Sequence, residues 1–191
     1  MKNYQELPVK KRSIHSRGHL QKVVLLFYFI ICSYIPNRQI DKASEYNLKA
    51  AFIYNFTKFI EWKMISTDNE FVIGIIGASP IYDPLAEVIK TETVDGKKII
   101  IKQFNKAADI SDCHILFISR SAGSALEDIL AKTTGKGMLI VSEQDGYAKS
   151  GTALNFVIVN RKLKFEANVK AINAAGLAAS SQLLKLAIIV K

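Results

Sequence analysis

Three short runs rich in apolar residues, "FVIGIIG" (71–77), "HILFIS" (114–119) and "GMLIVSE" (137–143), constrain this chain more than any other feature. Runs that are continuous rather than alternating, and bounded by turn residues, are expected of strands covered on both faces. Segments with helical spacing lie between them. "IYDPLAEVIK" follows the first run, with Pro84 tolerated in a first helical turn. "SALEDILAK" precedes the third, with Ser124 three residues before Glu127 as a capping box. A further strand is predicted at "KKIIIKQF" (97–104). This alternation predicts a compact single α/β domain whose central sheet is largely parallel, with helices on both faces.

After residue 143 the pattern changes. "SEQDGYAKSG" reads as a solvated polar loop in which Glu143 and Asp145 face water. "TALNFVIVN" and "KLKFEAN", separated by little more than Asn160 and Arg161, predict a C-terminal antiparallel hairpin at one end of the sheet. Lys162 and Lys164 would discourage edge-to-edge pairing there. A single last helix is predicted from Asn168 as N-cap, because Ile172, Gly176, Ala179, Leu183, Leu186 and Val190 recur at spacings of 4, 3, 4, 3 and 4. Its small first half should lie tight against the sheet and its leucine half should fill a deeper gap. Gly176→Leu or Ala179→Leu would then overpack it.

Before the strands, "EYNLKAAFIYNFTKFIEW" places Leu48, Phe52, Phe56 and Phe59 on one stripe, with Ala51 and Ile60 beside them, which predicts an amphipathic helix. Six aromatics fall within its 18 residues: Tyr46, Phe52, Tyr54, Phe56, Phe59 and Trp62. They cannot all face one way.

Charge matters only once it is located. Of the net +9, residues 1–22 carry +5 (six basic residues against Glu6), and +4 remains for the rest. The uncharged run "VVLLFYFIICSYI" (23–35) follows directly. Its 13 residues are too few to span a bilayer, which needs roughly 20, and fit the apolar region of a signal peptide. Residues 1–44 are therefore read as a signal peptide or N-terminal anchor with a short spacer, and 45–191 as the domain. Export follows. The membrane is touched only through the N-terminal segment if it stays uncleaved. Cys32 follows bulky Ile31, which disfavours lipid attachment, and Cys113 opens an apolar strand, where burial is expected.

Chemistry is hard to find. Neither G-x-G-x-x-G nor G-x-x-x-x-G-K-[ST] occurs, and no cofactor is expected. "DISDCH" gathers Asp109, Asp112, Cys113 and His114, but adjacent strand residues project to opposite faces, so no metal site is expected. G-x-S-x-G is missing, and His114 follows the thiol too closely to activate it. The sequon at Asn55 falls on the first helix, where coincidence is the better explanation. With the basic excess in the leader, nucleic-acid binding is not expected.

Four strings, "LKAAFIYNFTKFIEW", "CHILFIS", "LIVSEQDGYAKSGTALNFVIVNRKLKFEAN" and "AAGLAASSQLLKLA", resemble in order and spacing the YfiR family of exported bacterial regulators, over residues 47–190. The resemblance implies a periplasmic protein, a compact α/β domain that binds the periplasmic sensor domain of a membrane-bound diguanylate cyclase. It would hold the cyclase inactive and so lower cyclic di-GMP and biofilm formation. It implies a regulator and no enzyme, and, since members often dimerise, a homodimer. Some members carry paired cysteines that respond to oxidation. Cys113 matches a family position without a partner, so that control is not expected here.

An inhibitor of this kind needs an exposed apolar patch with a polar rim. One candidate is the surplus aromatics Tyr54 and Trp62 with Lys58. These residues could equally pack under the adjoining loop. Glu166, Asn168, Ser180 and Ser181 around the last helix form the other, although capping alone accounts for Asn168. The alternative reading is a small-molecule sensor acting on another membrane signalling protein, binding at the carboxyl ends of the parallel strands near residues 77–80 and 119–121.

Overall fold

The computed structural model describes residues 41–62 and 70–190. The leader, Cys32 and most of the polar stretch 63–70 lie outside the described residues.

The first helix, α1 (Lys42–Phe59), begins a little before the expected domain start at Glu45 and runs into a short strand, β1 (Ile60–Trp62). Its buried stripe keeps Phe56 of the expected one, with Phe52 and Phe59 half-buried against the core, but departs from it at Leu48. Leu48 is 43% exposed, and the core side holds Tyr46, Lys49, Ala50, Ile53, Tyr54, Phe56 and Thr57. Two stripes of similar spacing compete on this aromatic-rich helix, and apolar periodicity favours the one without a lysine. The other stripe is buried through Tyr46, Ala50, Ile53 and Tyr54, and Lys49 within it is met by the buried Glu143 carboxylate.

Then follow β2 (Glu70–Ile76), α2 (Tyr82–Ile89), β3 (Thr93–Val94), β4 (Lys97–Phe104), β5 (Ile115–Ile118), α3 (Leu126–Thr133) and β6 (Leu139–Ser142). The expected strands stand within two residues of their places. The capping box does not form: α3 starts after a 3-10 turn at Arg120–Ala125, and its N-cap is Ala125, without a side-chain cap bond. A 3-10 turn already supplies intrachain partners for the leading N–H groups, so Ser124 is not needed.

β7 (Leu154–Val159) and β8 (Lys162–Asn168) form the expected hairpin. Asn160 (φ 50°) and Arg161 (φ 59°) both take left-handed conformations, as a two-residue turn matched to strand twist requires.

The single C-terminal helix is not formed. Its place is taken by α4 (Val169–Ala174), β9 (Leu177–Ala179), α5 (Ser181–Leu186) and β10 (Ile188–Val190). Asn168 does cap α4, its Oδ1 accepting from Ala171 N at 3.0 Å. Gly176, at φ 76°, then ends the helix, donating to Asn173 O at 2.9 Å. Ser180 starts a new helix by accepting from Leu183 N at 3.2 Å. The small residues serve a two-stranded antiparallel ribbon of β9 with β1, in the register Ile60↔Ala179 and Trp62↔Leu177. Hence no single helix runs along the sheet over 168–190; α4 and α5 each bury one side chain in the core, Ile172 and Leu183.

The main sheet has the order β10-β8-β7-β6-β5-β2-β4-β3. β4, β2, β5, β6 and β7 are mutually parallel, β8 and β3 are antiparallel to their neighbours, and β10 runs parallel outside β8. β10 covers β8 only at Glu166 to Asn168, so Lys162 and Lys164 occupy its uncovered half, consistent with an edge role. Two apolar clusters cover the faces. One joins α1, α2 and α4 to the sheet, with Phe56 stacked on Phe156 (5.9 Å) and edge-on to Phe165 (5.2 Å). The other lies under α3, through Leu126 and Ile129. The crossover helices after β2 and after β5 thus sit on opposite faces, and the connections diverge between the carboxyl ends of these adjacent strands, where open α/β sheets place ligands.

Candidate functional site

The carboxyl ends of β2, β5 and β6 deliver residues 77–80, 119–121 and Glu143 to that divergence, and the first turns of α1 meet them there. Lys49, 1% exposed, donates to Glu143 Oε2 at 2.6 Å and to Glu45 Oε1 at 2.5 Å. Tyr46 donates its hydroxyl to Glu143 Oε1 at 3.3 Å, and the same oxygen accepts from Arg120 N at 3.2 Å. Arg120 Nε donates to the Glu143 carbonyl at 3.2 Å. One carboxylate therefore ties α1, the end of β5 and the end of β6 together.

Glu143 is 2% exposed, which corrects the expectation of a solvated loop residue; Asp145 is exposed as expected. It ends a fully buried strand, so its backbone cannot turn to water before its side chain is committed. Burial, then the adjacent Glu143 carboxylate, pushes Tyr46 up from 10.0 to about 12, with the Ser79 hydroxyl opposing. Lys49 also lies 4.5 Å from the Tyr46 ring centroid. Its positive charge faces two carboxylates and a ring, and no buried side-chain polar atom among the described residues lacks a partner. Such a closed arrangement holds elements in place.

The neighbouring turns are similarly engaged. Ser119 Oγ and Ser121 Oγ are 2.8 Å apart, and Ser121 donates to Ala78 O at 3.0 Å. A Cβ on Gly77 would stand 2.4 Å from Ser119 Oγ, so only glycine fits at that close approach. Next to the clamp, Ser142, Thr152, Asn155 and Glu166 form a hydrogen-bonded chain from β6 to β8.

The two expected partner-binding sets fare differently. Tyr54 is 8% exposed and donates to Glu92 Oε2 in the turn after α2, with Lys58 Nζ 4.3 Å over its ring. Burial and this acceptor raise its pKa, the hydrogen bond being the larger cause. Lys58 is exposed. Trp62, half-buried, stands edge-on to Phe71 at 5.3 Å, which in turn stacks on His114 at 4.4 Å. Tyr54 and Trp62 therefore pack against the loop and the strands more than they protrude. In the second set Glu166 accepts from Asn155 Nδ2 at 2.9 Å, and Asn168 donates to Ala148 O at 2.8 Å while capping α4. Ser180 caps α5, and its N–H donates to Phe59 O at 2.9 Å. Ser181 is exposed. The fold brings Ser180 to the end of the helix bearing Lys58, but turns Glu166 to the opposite sheet face from Phe165 and Ala167.

Lys49 and Glu143 were missed from the sequence. The Glu45 to Lys49 spacing of four was a visible signal, but nothing local linked it to a residue 94 positions away. Cys113 is buried as expected, on the face opposite His114, and desolvation pushes its thiol from 9.0 up to about 12. Among the described residues no three His, Cys, Asp or Glu side chains are placed to hold a metal ion, and no helix is long and apolar enough to cross a membrane.

A family model described as YfiR/HmsC-like matches residues 46–188, from the tyrosine of the clamp to the last strand. The chain belongs to the YfiR/HmsC-like family. The family is one of periplasmic regulators of the diguanylate cyclase pathway, regulatory rather than catalytic. No curated protein matches the chain. Among solved structures, a conserved domain protein from Vibrio cholerae O1 biovar El Tor is similar with a TM-score of 0.52 at 12% identity, over 76% of this chain and 60% of that one. An ABC domain in complex with L-Trp from Streptococcus pneumoniae is similar with a TM-score of 0.52 at 12% identity, over 77% of this chain and 60% of that one. The YfiR/HmsC-like chain thus spans about 60% of the length of either, and the likeness is one of fold.

Proposed function

We propose that the chain is an exported periplasmic protein that binds the sensor domain of a membrane-bound diguanylate cyclase and represses it, lowering cyclic di-GMP and biofilm formation. Family membership over residues 46–188 carries this reading. The clamp supports it, because Lys49, Glu143 and Tyr46 spend their polar groups on one another and stiffen a scaffold instead of meeting a substrate. The chain acts without enzymatic turnover, and, as members of the family often do, it can pair as a homodimer. Lys58, Trp62 and Ser181 contribute contacts to the partner; Tyr54 lies under Lys58 and Ser180 starts the helix of Ser181, while Glu166 and Asn168 brace β8 through Asn155 and Ala148.

Co-purification tests it. The full chain, expressed with a tag in cells carrying the cyclase and solubilised mildly, should enrich that cyclase, and Lys58→Glu should reduce the yield. Recovery of no membrane signalling protein would remove the reading.

The divergence of connections between β2 and β5 favours a second reading, a small-molecule sensor. A metabolite binding there at 100 times its dissociation constant should add roughly 2.7 kcal/mol of stability, which a thermal-shift screen would register.

A further inference from the structure

The outer edge of β4 is paired only at its start. β3 meets it through Thr93↔Lys98 and Val94↔Lys97, and among the described residues no strand continues that pairing. The parity of the ladder identifies the groups left over. Phe104 O accepts from Gly77 N on the β2 side, and alternate residues of a strand turn their N–H and C=O to the same neighbour. Lys98, Ile100 and Lys102 therefore also face β2, while Ile99, Ile101 and Gln103 direct theirs outward, where backbone groups require a partner from water or from another chain.

Beside this edge runs a groove of about 620 Å³ between α2 and β4, lined by Tyr82, Ala86, Ile89, Ile99 and Ile101, with Lys90 at its margin. Tyr82 is 40% exposed there. Ile99 and Ile101 belong to the cluster under α2, whereas Lys98 and Lys102, exposed, stand on the other face of the pleat. β4 carries three lysines and no acidic residue.

We propose that the β4 edge and the α2 groove form a docking site for an extended partner segment in which apolar and acidic residues alternate. A strand laid along the edge continues the pleat, so its side chains opposite Ile99 and Ile101 enter the groove. Those between and after them emerge opposite Ile100 and Lys102, where an acidic group makes a favourable cross-strand pair with Lys102 and has Lys98 on the diagonal, beside Thr93 of β3. A second copy pairing edge to edge would instead set lysine against lysine, which disfavours it. The same lysines deter neutral strands, so the edge is closed to indiscriminate pairing and open to an acidic one.

The inference rests on reading the chain as a docking protein, and not on which cyclase it meets. Its test is fluorescence anisotropy with the full chain and a labelled peptide of about eight residues alternating Val and Glu, long enough to lie along the uncovered part of β4 at roughly 3.3 Å per residue. A Val and Lys peptide serves as counterpart. The Glu peptide should bind and the Lys peptide should not. Gln103→Pro removes one outward N–H without breaking a bond to β2 and should weaken binding about tenfold. Lys102→Glu, an exposed change that leaves the ladder intact, should reverse the peptide preference and carries the test by itself if the proline variant melts early. Failure of the Glu peptide to bind, binding equal in both variants, or a dimer that Gln103→Pro dissolves would each overturn the site. If the peptide fails while cyclase capture persists, the regulatory reading survives; if capture fails while the peptide binds, the site survives alone.

Discussion

Lys49 Nζ stands 2.6 Å from Glu143 Oε2, with both side chains 1% exposed, although 94 residues separate them along the chain. Taking two charges out of water costs several kcal/mol each, so the pair adds little net stability as a unit but is costly to break. Its value lies in position. Glu143 also meets Tyr46 and Arg120, so one carboxylate sets where α1 crosses the strand ends.

Lys49→Met should therefore destabilise the domain by about 3 to 5 kcal/mol, because it leaves the buried Glu143 charge without its cation, and Glu143→Gln should cost less, because Glu45 still meets Lys49. Lys49→Met combined with Glu143→Gln should cost less than the sum of the two single changes. Urea denaturation of the four proteins measures this; strictly additive costs would show that the pair is not coupled.

High pH should weaken the fold through two buried acids. Cys113 rises from 9.0 to about 12, chiefly by burial, and Tyr46 from 10.0 to about 12, by burial and then by Glu143. Groups held protonated in the folded state favour folding fully below their unfolded pKa, and that contribution disappears as pH climbs through the folded value. For Cys113 the loss is ~4 kcal/mol across pH 9 to 12, at 1.36 kcal/mol per unit. Cys113→Ala should flatten the decline of stability over that window. A slope unchanged from the parent would contradict the burial assigned to the thiol.

Gly176 should be sensitive for a backbone reason. Nothing lies within 4 Å of a Cβ built there, yet its φ is 76°. Alanine and leucine should each cost about 1 to 2 kcal/mol, the penalty of the left-handed region, and asparagine less. Thermal melts separate this from overpacking, in which leucine would cost far more than alanine.

Gly74 has the opposite problem. A Cβ would stand 2.8 Å from Phe104 Cε2, 3.0 Å from Leu116 Cδ1 and 3.1 Å from Cys113 Sγ. Gly74→Ala should cost roughly 1 to 3 kcal/mol by overpacking β2 against its neighbours. A melting temperature equal to the parent's would show that the cluster under α3 has slack.

The parallel sheet, the hairpin and its turn, and Asn168 as a cap were legible because each depends on local pattern: apolar runs, a two-residue separation, a side chain three residues from the N–H it accepts. The C-terminal elements were not. From Ile172 to Val190 the spacing suited one helix, but periodicity does not register that Gly176 takes a left-handed conformation or that Ser180 can restart a helix as well as sit inside one. On α1 the apolar stripe pointed past Lys49 because its partner arrives through the fold. Glu143 was read from the loop that follows it, whereas the strand that precedes it decides its burial. For the candidate site, the aromatics were visible but their direction was not: Tyr54 is engaged by Glu92, 38 residues on.

The central claim is that this chain silences a diguanylate cyclase by binding its sensor domain. Synthesis of cyclic di-GMP from GTP by membranes carrying that cyclase, with the purified full chain added in increasing amount, tests it most directly. The account predicts a rate that falls and saturates at stoichiometric addition; a rate unchanged at every concentration, with the chain folded, would contradict it.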